Sequence, residues 1–410
     1  MKVEDTKSGN PYHSEKTGQF TGPEGEEKNS SSSFDGKYEK IKAFDDYFND
    51  YVNGLPEEKQ RIINESRQDQ YVAFKNRVKE IYNELLGKQT WQDFIVGGMS
   101  IYAKRDYVEY ALKGYGEGSQ EFQDTLTKFC RKYPEFQINC THSSNVSHFS
   151  PTDKEVTIVP AFSSDDLEQV ETAYHEVGHA YDFMLMNLKS DEDRFEITNQ
   201  VIQFGAAPAL SNTIKLQSAD GLTLEESLKA EFNEEKLSEI KALRELWKKR
   251  DDESYDRILN DSIKKAQTQV SEEINRKYYN GEYKDVKEYK KALKEALAND
   301  PSIREATQQY DNYKEMQEYS RDDWKELSDI LDGLTGGTES FGYGHGRNYW
   351  RFAGGKISYR KVAIEAFANI HSTLSNDKLA KRYALVEKFF PKSCNGVKEL
   401  VEYIRKELGE

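Results

Sequence analysis

Cysteine is scarce in this 410-residue chain: Cys130, Cys140 and Cys394 are its whole complement, and none belongs to a Cys-x-x-Cys pair. An odd number without motif spacing gives no disulfide framework, so reduced thiols are expected. Long apolar runs are also missing. None approaches 18 residues, which leaves no segment to span a membrane as a helix. Hydrophobic residues make up 36% of the chain and the mean hydropathy is -0.89, so much of the length must be solvated helix or tail. Basic excess is absent too. With 58 Lys and Arg against 73 Asp and Glu, the net charge is -15. A nucleic-acid partner is not expected, because phosphate contacts need clustered cations. Behind Met1-Lys-Val-Glu-Asp-Thr6 there is no apolar stretch, so the expectation is a protein made in the cytoplasm without a secretory signal.

What is present is chemistry in one short stretch, Thr172-Ala-Tyr-His-Glu-Val-Gly-His-Ala-Tyr-Asp182. It contains His-Glu-x-x-His, with His175, Glu176 and His179. Histidines four apart on a helix share one face, so both imidazoles can reach a single metal ion. Zinc suits neutral imidazole, and a glutamate beside the first ligand can take a proton from a bound water. With 7 histidines in the chain, the pattern arises by chance roughly once in a hundred such sequences. Residues 165–188 read as a helix, with Ser163 and Ser164 as N-cap candidates and acids in the first turn. Val170, Ala173, Tyr174, Val177 and Ala180 give it an apolar face. Upstream, Glu155-Val-Thr-Ile-Val-Pro160 reads as a short strand ending at a proline.

The rest divides by composition. Residues 1–35, ending in four serines, read as a disordered tail in which His13 is a solvated residue. Residues 36–132 read as a helical region, with helices over 38–52, 56–86, 91–112 (broken near Gly97-Gly98) and 121–132. Ile62, Tyr71, Phe74, Val78, Ile81, Tyr82 and Leu85 form one apolar stripe. Gly114-Tyr-Gly-Glu-Gly118 matches no nucleotide-binding pattern and reads as a flexible turn. Residues 133–188 hold short strands and the metal helix, with His142 and His148 as ordinary loop histidines. Residues 189–327 are charged and helical, including 225–249 and 285–298, and read as an insertion. Residues 328–410 complete the core.

Two histidines leave a zinc short of one protein ligand. Leu185 stands where a metzincin would place its third, so that class is excluded. Glu365, followed by apolar Ala366, Phe367 and Ala368, is the natural choice, since a buried carboxylate needs a partner or a metal. Its rivals are His371 and Asp329. Asp182, three residues after His179, is a candidate to orient an imidazole or a plain helix-surface acid.

His175-Glu-Val-Gly-His179, Ala180-Tyr-Asp182 and Glu365-Ala-Phe-Ala-Asn369 together resemble the gluzincin arrangement of zinc metallopeptidases. They are most similar to zinc-protease domains of the anthrax lethal factor type and of phage-associated proteins. Gly333-Leu-Thr-Gly-Gly337, Gly344-His-Gly-Arg-Asn-Tyr-Trp350 and Glu365-Ala-Phe-Ala368 look like metallopeptidase domains attached to, or encoded beside, phage minor head proteins of the Mu F type. The segment Asn10-Pro-Tyr-His-Ser-Glu-Lys-Thr-Gly-Gln-Phe20 is similar to linkers from that context. The likeness covers 136–188 and 328–391, and departs from the family's commoner Glu or His at Asn369.

The resemblance implies an α+β, mostly helical zincin with a small mixed sheet. It implies one Zn2+ held by His175, His179 and Glu365, with Glu176 as general base. A Tyr or His should stabilise the oxyanion; the candidates are His345, Tyr349 and Tyr359, with His345 favoured. The expected activity is hydrolysis of protein or peptide substrates by a phage- or prophage-encoded effector or virion-associated protease, with phage head proteins as partners. The alternative is a non-catalytic virion or partner-binding protein with a structural zinc.

Overall fold

The computed structural model describes residues 90–98, 105–141, 146–160, 166–186, 209–352 and 354–409. The tail expected over 1–35, the helices expected over 38–52 and 56–86 with their apolar stripe, His142, and the cap candidates Ser163 and Ser164 lie outside the described residues. Among those described, the chain is mostly helical with one small mixed sheet.

Helices α1 (Trp91–Gly98), α2 (Arg105–Gly116) and α3 (Gln120–Lys132) lead into β1 (Gln137–Cys140), β2 (His148–Ser150) and β3 (Glu155–Ile158). The sheet order is β1-β3-β2, with β1 parallel and β2 antiparallel to the central β3. His148, expected in a loop, therefore sits on an edge strand, opposite Thr157. Val156 and Ile158 of β3 are buried, and the strand's β-branched composition suits such a position.

Next comes α4 (Asp166–Met184), the helix that carries the His-Glu-x-x-His motif. Its apolar face is as expected: Val170, Ala173, Tyr174, Val177 and Ala180 are all buried. Yet Glu171, Glu176 and Asp182 are buried as well, so α4 runs through the core with protein on most sides. Glycines in the stretch expected to be a flexible turn let other chain segments come close to α4. A Cβ at Gly114 would lie 3.0 Å from the Gln169 carbonyl oxygen, and one at Gly118 would strike the Tyr174 ring. These glycines serve close packing against the motif helix.

Short α5 (Leu210–Thr213) is followed by α6 (Leu224–Glu231), α7 (Glu234–Lys248), α8 (Glu253–Tyr279), α9 (Val286–Asn299) and α10 (Pro301–Met316). The helix expected over 225–249 is thus two helices. Asn233 interrupts it, because its side chain accepts from the Lys236 amide and caps a new N-terminus. The expected insertion 189–327 also divides. Helix α6 is tied to the C-terminal end of the chain, where Glu231 accepts from the Ser393 amide and hydroxyl. Residues 189–208 lie outside the described residues; among those described, α8, α9 and α10 form a charged arm, each started by an aspartate cap (Asp252, Asp285 and Asp300). Helix α9 has no buried residue.

The chain closes with α11 (Lys325–Leu334), short α12 (Arg347–Trp350), α13 (Tyr359–Leu374), α14 (Ala380–Phe389) and α15 (Pro391–Glu407). Helix α13 crosses α4, and the crossing point is Gly178, inside the His-Glu-x-x-His motif. A Cβ there would sit 3.1 Å from Ala368 Cα and 3.2 Å from His371 Nδ1. Glycine and alanine thus let two buried helices approach at backbone distance. A buried ionic brace holds α4 to α11 and α14: Glu171 accepts from Lys325 at 2.7 Å and Arg382 at 2.5 Å, and Arg382 also reaches Glu326 at 3.2 Å.

Gly178→Val should therefore destabilise the protein by roughly 1–3 kcal/mol through overpacking at the crossing. Chemical denaturation checks this; unchanged stability would show that the helices can separate freely.

Candidate metal centre

The α4–α13 crossing puts three ligand-type side chains at one point. His175 and His179, one turn apart on α4, have their Nε2 atoms 3.1 Å from each other. Glu365 projects from α13, and its Oε2 lies 3.4 Å from His175 Nε2 and 3.3 Å from His179 Nε2. Tetrahedral zinc with bonds of about 2.0–2.1 Å sets its ligand atoms roughly 3.3 Å apart. The three edges here match that triangle. Moreover, Glu365 is buried and its Oε2 has no hydrogen-bond partner, while Oε1 accepts from the Tyr349 hydroxyl. An orphaned buried carboxylate oxygen facing two imidazoles is what a cation would satisfy. The residues present fit a zinc ion.

The electrostatics follow from burial and these neighbours. Burial would push Glu365 up, but His179, His175 and His345 hold it well below the ordinary carboxylate range. Burial would hold His179 down, yet Glu365 outweighs it and lifts the imidazole to about 9. Burial raises Glu176, with Glu365 adding to the rise and His175, His179 and His148 opposing it. A carboxylate so shifted is better matched to accepting a proton than an exposed one.

Residues 335–346 bring the other candidates. The buried Ser328, Asp329 and Asp332 of α11 hold this loop from below. Ser328 Oγ accepts from the Phe341 amide and donates to the Tyr343 carbonyl. Asp332 Oδ2 accepts from the Gly346 amide at 2.8 Å and the Trp350 indole at 2.7 Å. Gly344 passes so close that a Cβ there would lie 2.5 Å from Asp332 Oδ2. His345 is thereby delivered to the edge of the centre, its Nε2 3.9 Å from Glu365 Oε1 and its ring stacked on Tyr349 at 4.3 Å.

No family model, no curated protein and no solved structure matches this chain.

His175, His179, Glu365, Glu176, His345 and Tyr349 converge. Tyr359 does not join them: its ring lies under the Lys229 ammonium, at 4.4 Å, although it begins the same helix as Glu365. The six-residue separation from Glu365 turns it to another face of α13. Of the rival ligands, Asp329 is taken up by His345 and Asn369. Asp182 accepts from the amide and hydroxyl of Ser211, both at 2.7 Å, and so anchors α5 and not an imidazole. The loop-holding roles of Ser328 and Asp332 were not anticipated. Their signal was the polar residues Ser328, Asp329 and Asp332 set among Leu327, Ile330, Leu331 and Leu334, with Ser328 and Asp332 spaced i and i+4.

His371 is a core histidine. Its Nδ1 donates to the Tyr174 carbonyl at 2.9 Å, and Phe122, Tyr174, Tyr181 and Phe367 surround the ring. Burial pushes it down to about 3 from an ordinary value of 6.5. The folded protein keeps it neutral while the unfolded chain binds a proton below 6.5. Its contribution is thus intact above 6.5 and lost as pH falls toward 3, at about 1.4 kcal/mol per pH unit. Denaturation between pH 7 and 4 should show a shallower loss in His371→Gln than in wild type; equal slopes would mean that His371 is not held neutral.

Proposed function

We propose that this chain is a zinc-dependent metalloendopeptidase of the gluzincin type, acting on protein or peptide substrates. The observation that carries the reading is the triangle of His175, His179 and Glu365, with ligand atoms 3.1–3.4 Å apart beside the buried Glu176. A bound zinc would lower the pKa of a water in its open position and polarise the scissile carbonyl.

The chain's own residues supply the rest. Glu176 takes the water's proton and passes it to the leaving amine. His345 offers its Nε2 edge to the developing oxyanion, and the ring is 38% exposed, so substrate can reach it. The Tyr349 hydroxyl holds Glu365 Oε1 and orients that carboxylate toward the imidazoles. A purely structural site would not need an acid beside its first ligand, which is why Glu176 favours hydrolysis over a non-catalytic role. The phage setting rests on the likeness of the loop and tail motifs to phage-associated proteins; we propose a phage- or prophage-encoded effector or virion-associated protease.

Two experiments test the reading. Metal analysis of purified protein should find about one zinc per chain, with His175→Ala, His179→Ala and Glu365→Ala weakening its retention and His371→Ala sparing it. Loss of zinc on the His371 change with retention on the Glu365 change would overturn the ligand set. In a proteome-wide cleavage assay, Glu176→Gln should keep its zinc and lower activity by roughly two to four orders of magnitude. Cleavage at the wild-type rate would favour the partner-binding alternative.

A further inference from the structure

We propose that residues 340–364 form a cationic rim at the edge of the centre, and that this rim selects polypeptide segments rich in aspartate and glutamate. The cleavage of such segments rests on the metallopeptidase reading; their binding does not. Between Glu339 and Glu365 the chain has no Asp or Glu. At its overall frequency of 73 acids in 410 residues, about four would fall in a stretch of that length. The same stretch holds Arg347, Arg351, Lys356, Arg360 and Lys361, so the sign of the charge reverses locally in a chain of net charge -15.

The reversal falls where the centre is built, since this stretch supplies His345 and Tyr349 and ends at Glu365. Arg347 stands two residues after His345 and opens α12, the helix that carries Tyr349. Lys361 lies one turn before Glu365 on α13, its ammonium 4.7 Å from the centroid of the Tyr349 ring. Arg360 adjoins it and is exposed, as are Arg347 and Lys356. Among the described residues none of the five is ion-paired. Arg351 donates to the carbonyls of Gly336 and Gly355, at 2.7 and 2.8 Å, and Lys361 to the carbonyl of Tyr349 at 3.1 Å. By contrast, Lys229 and Lys241 find Glu225 and Glu339 at 2.8 and 2.7 Å.

Cations without carboxylate partners on one exposed edge attract acids from outside the chain, over a screening length of about 8 Å at physiological salt. A nucleic acid or an anionic membrane would extend past the rim and meet the acid excess of the rest of the chain. A short acidic segment of polypeptide occupies the rim alone.

Binding is tested on the full chain carrying Glu176→Gln, by fluorescence anisotropy with labelled peptides of one sequence whose charged positions are all glutamate, all glutamine or all lysine. A labelled single-stranded oligonucleotide is the fourth probe. The glutamate peptide should bind best, and its affinity should fall as salt is raised. Reversing Arg347, Lys356 and Arg360 together to Glu should weaken it by roughly 10- to 100-fold and leave the glutamine peptide unaffected. These three side chains are exposed, and Arg351 and Lys361, which hold backbone carbonyls, are left alone. Equal affinity for the three peptides, which requires no rim variant, overturns the proposal. Tighter binding of the lysine peptide or the oligonucleotide, or a glutamate peptide indifferent to the triple change, does the same. With a proteome-derived peptide library, the zinc-loaded protein should cut beside Asp and Glu, and the triple change should raise KM with kcat near wild type. Cleavage without acidic preference overturns the rim while the metallopeptidase reading stands; acid-selective binding without any cleavage keeps the rim and removes that reading.

Discussion

The contact on which the centre depends is the approach of two buried helices at Gly178 and Ala368. A side chain larger than hydrogen at Gly178 would hold α13 away from α4. Glu365 Oε2 could not then sit within 3.4 Å of both imidazoles. Interiors pack at crystal-like density and relax only partly around extra volume, so the small pair sets the ligand geometry more firmly than any polar bond does. His371, on the same helix as Ala368 and bonded to the Tyr174 carbonyl, packs beside Gly178 in the same crossing.

Polar groups refine what the crossing permits. The buried brace of Glu171, Lys325, Arg382 and Glu326 links α4 to α11, and α11 is the helix that holds the His345 loop. Such a brace adds little net stability over apolar packing, but removing one partner strands the others without water. Burial and the adjacent Glu171 hold Glu326 above the ordinary carboxylate range, while Lys325 and Arg382 keep Glu171 below it in spite of burial. The brace thus fixes α4 and α11 relative to each other, and the loop on α11 inherits that register.

Individual residues show how far local pattern carries. His175 and His179 were readable because helical spacing is a local property: four residues always return to one face. The aspartate caps of α8, α9 and α10 are local too, and Asp285 starts its helix where the sequence placed it. Tyr359 and Tyr349 show the opposite. Tyr359 is nearer to Glu365 along the chain, yet the short turn of α12 and the loop before α13 bring Tyr349 to the carboxylate. The glycines of 114–118 likewise read as a turn, because nothing nearby in sequence announces the Gln169 carbonyl and the Tyr174 ring against which they pack.

Composition and short-range spacing by themselves determined that the chain is mostly helical, has no apolar span long enough to cross a membrane as a helix, and presents two imidazoles and an acid on one helix. They also singled out Glu365, because an acid followed by apolar residues on a helix needs a buried partner. Only the tertiary structure decided that Asp329 meets His345 and Asn369, that Asp182 anchors α5, and that His371 is a core residue. It also divided the charged interval into a packed part and an arm. The physical reason is the same in each case. A polar side chain's role is set by which donors and acceptors lie within about 3 Å of it, and for His371 that partner lies 197 residues away in sequence.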